Sequence, residues 1–210
     1  MTYPNLEEEK RLWDSGYRYV AGVDEVGRGA LISDVIAAAV LVPFKWSPIE
    51  GLRDSKKLSA EKRRKLAKII SENCIYGIGN ATPEEIDRIG IHKASEKAMI
   101  RAVYNIITSK SHVDFLLVDG PIDLEISIPN KGIVRGDNKC CVISAASIIA
   151  KTYRDNQMIL LAEQYPEYGL DKNKGYGTKE HLNAIKAYGI SRLHRRSFRP
   201  CQEKSRREGI

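Results

Sequence analysis

Two carboxylates stand side by side at the end of an apolar run, in the sequence VDEVGRG at residues 23–29. Adjacent anions repel each other, and the glycines that flank the arginine cost backbone entropy, so stability alone gives little reason for this arrangement. Asp24 and Glu25 carry hard oxygen ligands that suit Mg²⁺ or Mn²⁺ rather than zinc. The stretch therefore indicates a binding site, with a divalent metal as the first candidate.

Two further acids occupy comparable places later in the chain. Asp119 stands near the end of the apolar run FLLVDG at residues 115–120, and Asp137 precedes a long helical stretch. Ligands of open α/β sheets collect where strands end, so Asp24 and Asp119 would meet if their strands are adjacent. Taken alone, Asp119 also fits a turn and Asp137 a helix N-terminus, and spacing does not show that the acids converge.

The adjacency of Asp24 and Glu25 sets a geometric condition. Successive side chains of a regular strand point to opposite faces of the sheet, so both acids face one cavity only if the strand breaks at that point. Gly27 and Gly29 supply the backbone freedom for such a break. We therefore expect the first strand to end at Asp24.

Short strands and capped helices surround these acids. Aromatic and β-branched runs predict four strands, at residues 17–24, 35–42, 75–81 and 115–120. Helix starts are marked by N-capping residues, namely Ser59, Thr82 with Pro83 and Glu85 in a capping box, and Thr178, whose helix should stop at Gly189. The mixture predicts one α/β domain over residues 1–210, with a core at 1–169 and a basic helical extension at 170–210.

The net charge of +7 is concentrated at the C-terminus. From Lys172 onward the chain has 11 Lys and Arg against three Asp and Glu, which exceeds the surplus of the whole protein. Such a segment attracts nucleic acid, and it is equally consistent with a solvated basic tail. Charge alone leaves both interpretations open.

Other features of the sequence favour a cytoplasmic protein. The apolar run at residues 35–42 is too short to cross a bilayer, and the acidic start lacks the basic and apolar regions of a signal peptide, so no membrane contact is expected. Its four cysteines lack zinc-binding spacing, which predicts buried free thiols. We expect a monomer.

The motifs together resemble those of the type 2 ribonucleases H, specifically ribonuclease HII. GVDEVGRG, DSKKLS at residues 54–59, VDG at 118–120 and GDNKCCVISAASIIAKTYRD at 136–155 are similar to four of its motifs in the same order, and residues 165–199 to its C-terminal signature. The chain departs from the usual pattern at Val26, where alanine is common, and at ALISD after GRG, where proline and glycine are common. The departure after GRG leaves the shape of that loop open.

The resemblance implies a ribonuclease H-like fold, with a central mixed β-sheet flanked by helices, and a metal-dependent endonuclease. Its substrates would be RNA-DNA hybrids and duplex DNA with single embedded ribonucleotides, as in the removal of misincorporated ribonucleotides and RNA primers. Cleavage would fall 5′ of the ribonucleotide and leave a 3′-hydroxyl and a 5′-phosphate. The resemblance implies a two-metal mechanism with Mg²⁺ or Mn²⁺. The acids at the matching positions, which would bind the metals and carry catalysis, are Asp24, Glu25, Asp119 and Asp137.

The resemblance also implies a reader of the RNA-to-DNA junction. Gly27, Arg28 and Gly29 would approach the 2′-hydroxyl through the backbone, and Tyr176 in KGYGT would stack on the sugar of the following deoxynucleotide. Without the resemblance, GRG is a tight turn and Tyr176 a packing residue. The expected phosphate contacts are Ser55, Lys56, Arg195, Arg196, Ser197 and Arg199.

Three other functions remain open. Ribonuclease HIII shares the core but carries a long N-terminal domain, for which the 23 residues before Asp24 leave no room. A transposase or resolvase would share the metal chemistry but not GRG and KGYGT. A nucleic-acid-binding module without catalysis is disfavoured by the presence of all four acids.

Overall fold

The structure is a computed structural model that describes residues 3–52, 55, 58–108 and 112–202. Five strands form one sheet: β1 (Val20–Val26), β2 (Val35–Leu41), β3 (Ile75–Ala81), β4 (Phe115–Asp119) and β5 (Asn130–Ile133). The strand order is β3-β2-β1-β4-β5. Strand β1 pairs antiparallel with β2 and parallel with β4, so the sheet is mixed, as expected.

Seven α-helices lie in the described residues, and some of them cover both faces of this sheet. They are α1 (Glu7–Asp14), α2 (Ala60–Asn73), α3 (Pro83–Ile89), α4 (Ile91–Thr108), α5 (Cys141–Gln164), α6 (Leu170–Asn173) and α7 (Lys179–Tyr188). Helices α2 and α5 share a buried cluster with one face of the sheet, and α3 and α4 share another with the opposite face. A short 3-10 turn, Gly136–Asn138, precedes α5.

The capping residues start their helices as the sequence predicts. The Ser59 hydroxyl accepts a hydrogen bond from Lys62 N, and the Thr178 side chain accepts one from His181 N. Thr82 and Glu85 form the predicted capping box. The four cysteines carry free thiols, and all but Cys74 are buried.

The predicted end of the first strand is wrong. Strand β1 continues for two residues beyond Asp24, because Glu25 pairs with Ala37 and Val26 with Ile36 in the regular antiparallel register. The chain leaves the strand at Gly27, whose φ of +89° lies in the left-handed region that favours glycine. Strand β5 and helix α1 were not predicted from the sequence.

A third apolar cluster lies beyond the ends of β1 and β2. Leu31 and Ile32, in the loop between those strands, pack with Tyr168, Leu170, Ile185 and Cys201. This cluster attaches the described part of the C-terminal segment to the loop that follows GRG. No helix in the described ranges is long and apolar enough to span a bilayer.

Strand β1 and helix α5 are in direct backbone contact at Gly22. A Cβ added there would overlap the backbone of Val142 and Ile143 at the start of α5. Only glycine therefore permits this approach of helix and strand.

This contact leads to a stability prediction. Gly22→Ala should lower the free energy of unfolding by roughly 3 kcal/mol, because backbone atoms cannot move aside as a side chain can. The exposed Gly29, where an added Cβ would meet only ordinary contacts, is the matched control, and Gly29→Ala should change stability by at most about 0.5 kcal/mol. Urea denaturation of both variants measures the difference, and equal losses would contradict the proposed overlap.

Candidate active site

Asp24 and Asp119 lie next to each other at the ends of parallel strands. Strands β1 and β4 pair with Val23 opposite Val118, and the same register continued by one residue places Asp24 beside Asp119. Alternation along the two strands directs both side chains toward α5, because Val20 and Leu117 belong to the cluster on that face. The register therefore brings Asp24 and Asp119 together, as expected from the sequence.

Asp137 joins them from the turn before α5. The backbone N–H of Gly136 donates a hydrogen bond to Asp119 Oδ1 at 2.6 Å, which fixes the turn against the end of β4. Asp137 itself is buried. Asp137 lies four residues before the first residue of α5, close to the helix N-terminus as predicted.

Burial and crowding act together on Asp24. The side chain is 6% exposed, and its pKa is raised well above the usual value, first by burial and then by the negative charges of Glu25, Asp119 and Asp137. Backbone and side-chain donors partly offset this cost, since Glu25 N donates to Asp24 Oδ1 at 2.7 Å and Ser147 donates from α5. All four acids therefore interact electrostatically at one end of the sheet.

Two hydrogen-bonded serine hydroxyls lie beside Asp24. The Oγ atoms of Ser55 and Ser147 are 2.9 Å apart, and both residues are buried. Ser147 also interacts with the carboxylate of Asp24 and favours its charged form. Ser55 thus connects the DSKKLS motif to the acidic cluster.

Glu25 is held away from this arrangement. Regular pairing of β1 directs its side chain to the opposite face of the sheet, where Oε1 lies 3.1 Å from Arg28 Nη1. Arg28 Nη2 in turn lies 2.8 Å from His92 Nδ1 in the first turn of α4. Burial raises the pKa of Glu25, although the Arg28 hydrogen bond opposes the shift.

The donor chemistry fits a hard divalent cation. Four carboxylates repel one another at this end of the sheet, and Glu25 Oε2 is buried without a hydrogen-bond partner among the described residues. In the described ranges, no three His, Cys, Asp or Glu side chains stand in an arrangement that could hold a metal ion as they are. The regular course of β1 through Glu25 and its pairing with Arg28 are consistent with that finding.

GRG and Tyr176 form one surface. Ala30 pairs with Tyr176 as an isolated antiparallel bridge, and a Cβ added to Gly29 would lie 3.9 Å from Tyr176 Cε1. Gly29 and Tyr176 are both exposed. Residues from two distant motifs therefore meet directly beyond the acidic end of β1.

The loop after GRG is fixed by its backbone. Leu31 N donates to Gly175 O at 2.8 Å, and Leu31 O accepts from Arg195 N at 2.8 Å. On the other side, Ser33 N donates to Leu193 O at 2.8 Å. The ALISD segment thus lies between the KGYGT motif and the C-terminal signature.

The expected phosphate contacts divide into buried and exposed groups. Arg195 is fully buried, with Nε donating to Ser33 O and Nη1 to Arg28 O, both at 2.9 Å, and with Ser55 it faces the interior. The exposed Arg196 and Ser197 donate backbone N–H groups to Asp87, and Arg199 is exposed. Lys56 lies outside the described residues.

Three residues that contact predicted site residues were not identified from the sequence: Ser147, Arg154 and His92. Ser147 and Arg154 are seven residues apart on α5 and so share a helix face. A buried charge on an apolar helix face was the available signal, since Arg154 follows the run SIIAKTY. His92 gave no signal, because its role depends on where Arg28 lies.

Comparison with known proteins finds similarity to the same family that the sequence motifs resemble. A family model described as ribonuclease HII matches residues 21–201. Ribonuclease HII of Desulfitobacterium hafniense is 49% identical over 199 residues, covering 94% of this chain and 75% of that relative. The crystal structure of ribonuclease H2 from Pyrococcus horikoshii OT3 has a TM-score of 0.74 at 26% identity, covering 90% of this chain and 98% of that one. The Bst ribonuclease HIII in complex with Mn²⁺ shares the fold, with a TM-score of 0.67 at 21% identity over 90% of this chain and 70% of its own.

The raised pKa of Asp24 leads to a pH prediction. The folded protein binds a proton at Asp24 more tightly than the unfolded chain does, so without divalent ions the free energy of unfolding should fall as pH rises above about 4. Asp24→Asn should remove much of this fall and be more stable than the wild type at pH 7. Urea denaturation in EDTA between pH 4 and 8 measures it, with Asp14→Asn as the exposed control. Identical pH dependence of the unfolding free energy in wild type and Asp24→Asn would show that the pKa of Asp24 is not raised in the folded protein.

Proposed function

The chain belongs to the ribonuclease HII family, and from this membership we propose that it nicks duplex DNA 5′ of single embedded ribonucleotides as well as cutting RNA-DNA hybrids. Ribonuclease H activity, the endonucleolytic hydrolysis of RNA paired with DNA, follows from the family itself. The family model and the curated relatives are ribonuclease HII, which favours this function over a ribonuclease HIII, a transposase or a catalytically inactive binding module.

The observation that carries the finer proposal is the surface formed by Gly29 and Tyr176. The RNA-to-DNA junction differs from DNA by one 2′-hydroxyl, and a glycine backbone can approach that group where a side chain would block it. The exposed ring of Tyr176 lies 3.9 Å from the place where a Cβ on Gly29 would stand, in position to stack on the next sugar. We propose that Gly27, Arg28, Gly29 and Tyr176 recognise this junction together.

The acids supply the catalytic part of the proposal. Asp24, Asp119 and Asp137 would hold Mg²⁺ or Mn²⁺ on the face toward α5, and Glu25 would join them once its carboxylate leaves Arg28. Bound divalent ions would supply charge neutralisation at the phosphate and a more acidic attacking water, as in two-metal nucleases. The chain's own contribution is to keep the oxygen ligands crowded, buried and oriented, with Ser147 and Ser55 holding Asp24.

Substrate phosphates would be bound by the basic residues that remain exposed. Arg196 and Arg199 fit this role, Ser197 would accompany them, and Lys56 is proposed from its motif alone. Arg195 and Ser55 would act indirectly, since their donors are used inside the protein. We propose a cytoplasmic monomer that removes misincorporated ribonucleotides and RNA primers during replication and repair, and leaves 3′-hydroxyl and 5′-phosphate ends.

The first test is a labelled DNA duplex with one ribonucleotide, incubated with the protein in Mg²⁺, Mn²⁺ or EDTA. We expect a metal-dependent nick immediately 5′ of the ribonucleotide, whose upstream end a DNA polymerase extends because it carries a 3′-hydroxyl. Asp119→Asn should reduce the cleavage rate roughly a thousandfold or more, because it removes a ligand charge while keeping the volume, and should spare hybrid binding. Asp14→Asn is the control. Cutting of long hybrids without the nick would refute the junction proposal alone.

A second test separates junction reading from catalysis. Tyr176→Ala should lower kcat/KM about tenfold or more on the single-ribonucleotide duplex and less on a long hybrid, because a long hybrid offers many ribonucleotides and depends less on one stacking contact. Tyr188→Ala removes the more exposed tyrosine at the end of α7 and should change neither rate. Equal losses on both substrates for Tyr176→Ala would remove Tyr176 from junction recognition.

A further inference from the structure

Arg154 is a buried arginine that joins three carbonyls on two stretches of backbone. The residue is fully buried on α5, and its guanidinium donates through Nη1 to Asp34 O. Its Nη2 lies 3.3 Å from Ile32 O and 3.5 Å from Lys174 O. One side chain thus connects the loop after GRG with the residue that precedes Gly175 and Tyr176.

Glycines of both motifs adjoin this guanidinium. A Cβ added to Gly27 would lie 2.5 Å from Arg154 Nε, and one added to Gly175 would lie 3.3 Å from Arg154 Nη2. Both glycines also have positive φ angles. The GRG and KGYGT motifs therefore each need a glycine where they pass Arg154, in addition to whatever the substrate requires.

Stability alone is a poor explanation for this arrangement. Burial lowers the pKa of Arg154, which shows the cost of taking the cation out of water. Its partners are neutral carbonyls rather than a paired carboxylate, its Nε has no partner among the described residues, and the neighbouring Asp155 already pairs with Arg63 and Lys151. Folding therefore carries the cost of burying a cation that pairs with no carboxylate among the described residues.

We propose that Arg154 is a positioning residue for ribonucleotide recognition, which sets the spacing between the GRG backbone and the Tyr176 ring so that both reach one nucleotide step. The inference rests on the proposed reading of the junction by these two motifs. Arginine suits the task because its fork of donors reaches carbonyls on two chain segments at once. A lysine ammonium at the same place could hold one segment and would leave the other free to shift.

The test is Arg154→Lys, assayed on the single-ribonucleotide duplex and on a long hybrid. We expect kcat/KM on the single-ribonucleotide duplex to fall about tenfold or more, with a smaller loss on the long hybrid. The matched control is Arg101→Lys, since Arg101 also ties a side chain and a carbonyl, Glu85 and Asn80 O, but on α4 and away from the site. That control should leave the ratio of the two rates unchanged.

A double-mutant cycle separates positioning from a general loss of structure. If Arg154 acts through Tyr176, Arg154→Lys should have little further effect on the rate ratio in the Tyr176→Ala background. Additive losses, or an unchanged ratio in Arg154→Lys, would overturn the inference while leaving the nicking activity of the wild type intact. A wild type that fails to nick would overturn both proposals.

A second variant covers the case in which Arg154→Lys does not fold. Arg154→Gln removes the buried cation and keeps one amide donor, and thermal unfolding shows whether it is native. Hydrogen exchange at Leu31 N–H, which donates to Gly175 O between the two motifs, should be faster in this variant than in Arg101→Lys. Unchanged exchange together with an unchanged rate ratio would refute the positioning role.

Discussion

The close approach of helix α5 to strand β1 is the constraint on which the site depends. Helix and strand run side by side and meet at three successive levels: Gly22 against Val142, Asp24 against Ser147, and Gly27 against Arg154. Five strand residues rise about 17 Å and twelve helical residues about 18 Å, so the two elements stay in step over this distance. The lowest contact sets the packing, the middle one holds the buried Asp24, and the highest one lies under the GRG loop.

This arrangement keeps mutually repelling groups together at the expense of stability. Asp24 is buried among three other acids, and Glu25 has one oxygen on Arg28 and the other without a described partner. A fold selected only for stability would separate or neutralise such groups. Their retention at a strand end, beside a helix that cannot move away, is what a cation-binding site requires of its scaffold.

Local signals in the sequence were enough for most elements. Ser59, Thr82 and Thr178 act through neighbours three residues away, so capping chemistry identifies their helices without tertiary information. The end of β1 was misjudged because its last pairs are decided by β2, which no local pattern reveals. The inward orientation of Arg195 was missed for the same reason, since a basic residue in a basic segment gives no sign that its donors are used by carbonyls from a loop more than 160 residues earlier.

The contacts that hold the loop after GRG have an evolutionary consequence. Arg154 and Arg195 bind this loop through carbonyl oxygens, and backbone hydrogen bonds and the buried side chains of Leu31 and Ile32 complete its attachment. The hydrogen bonds from both arginines therefore survive a change of side chain at Ile32, Ser33 or Asp34. The visible cost is at Ser33, whose φ of +69° is one that glycine adopts more easily. Selection on this part of the molecule should thus act on the two distant arginines and on the buried Leu31 and Ile32 more strongly than on Ser33.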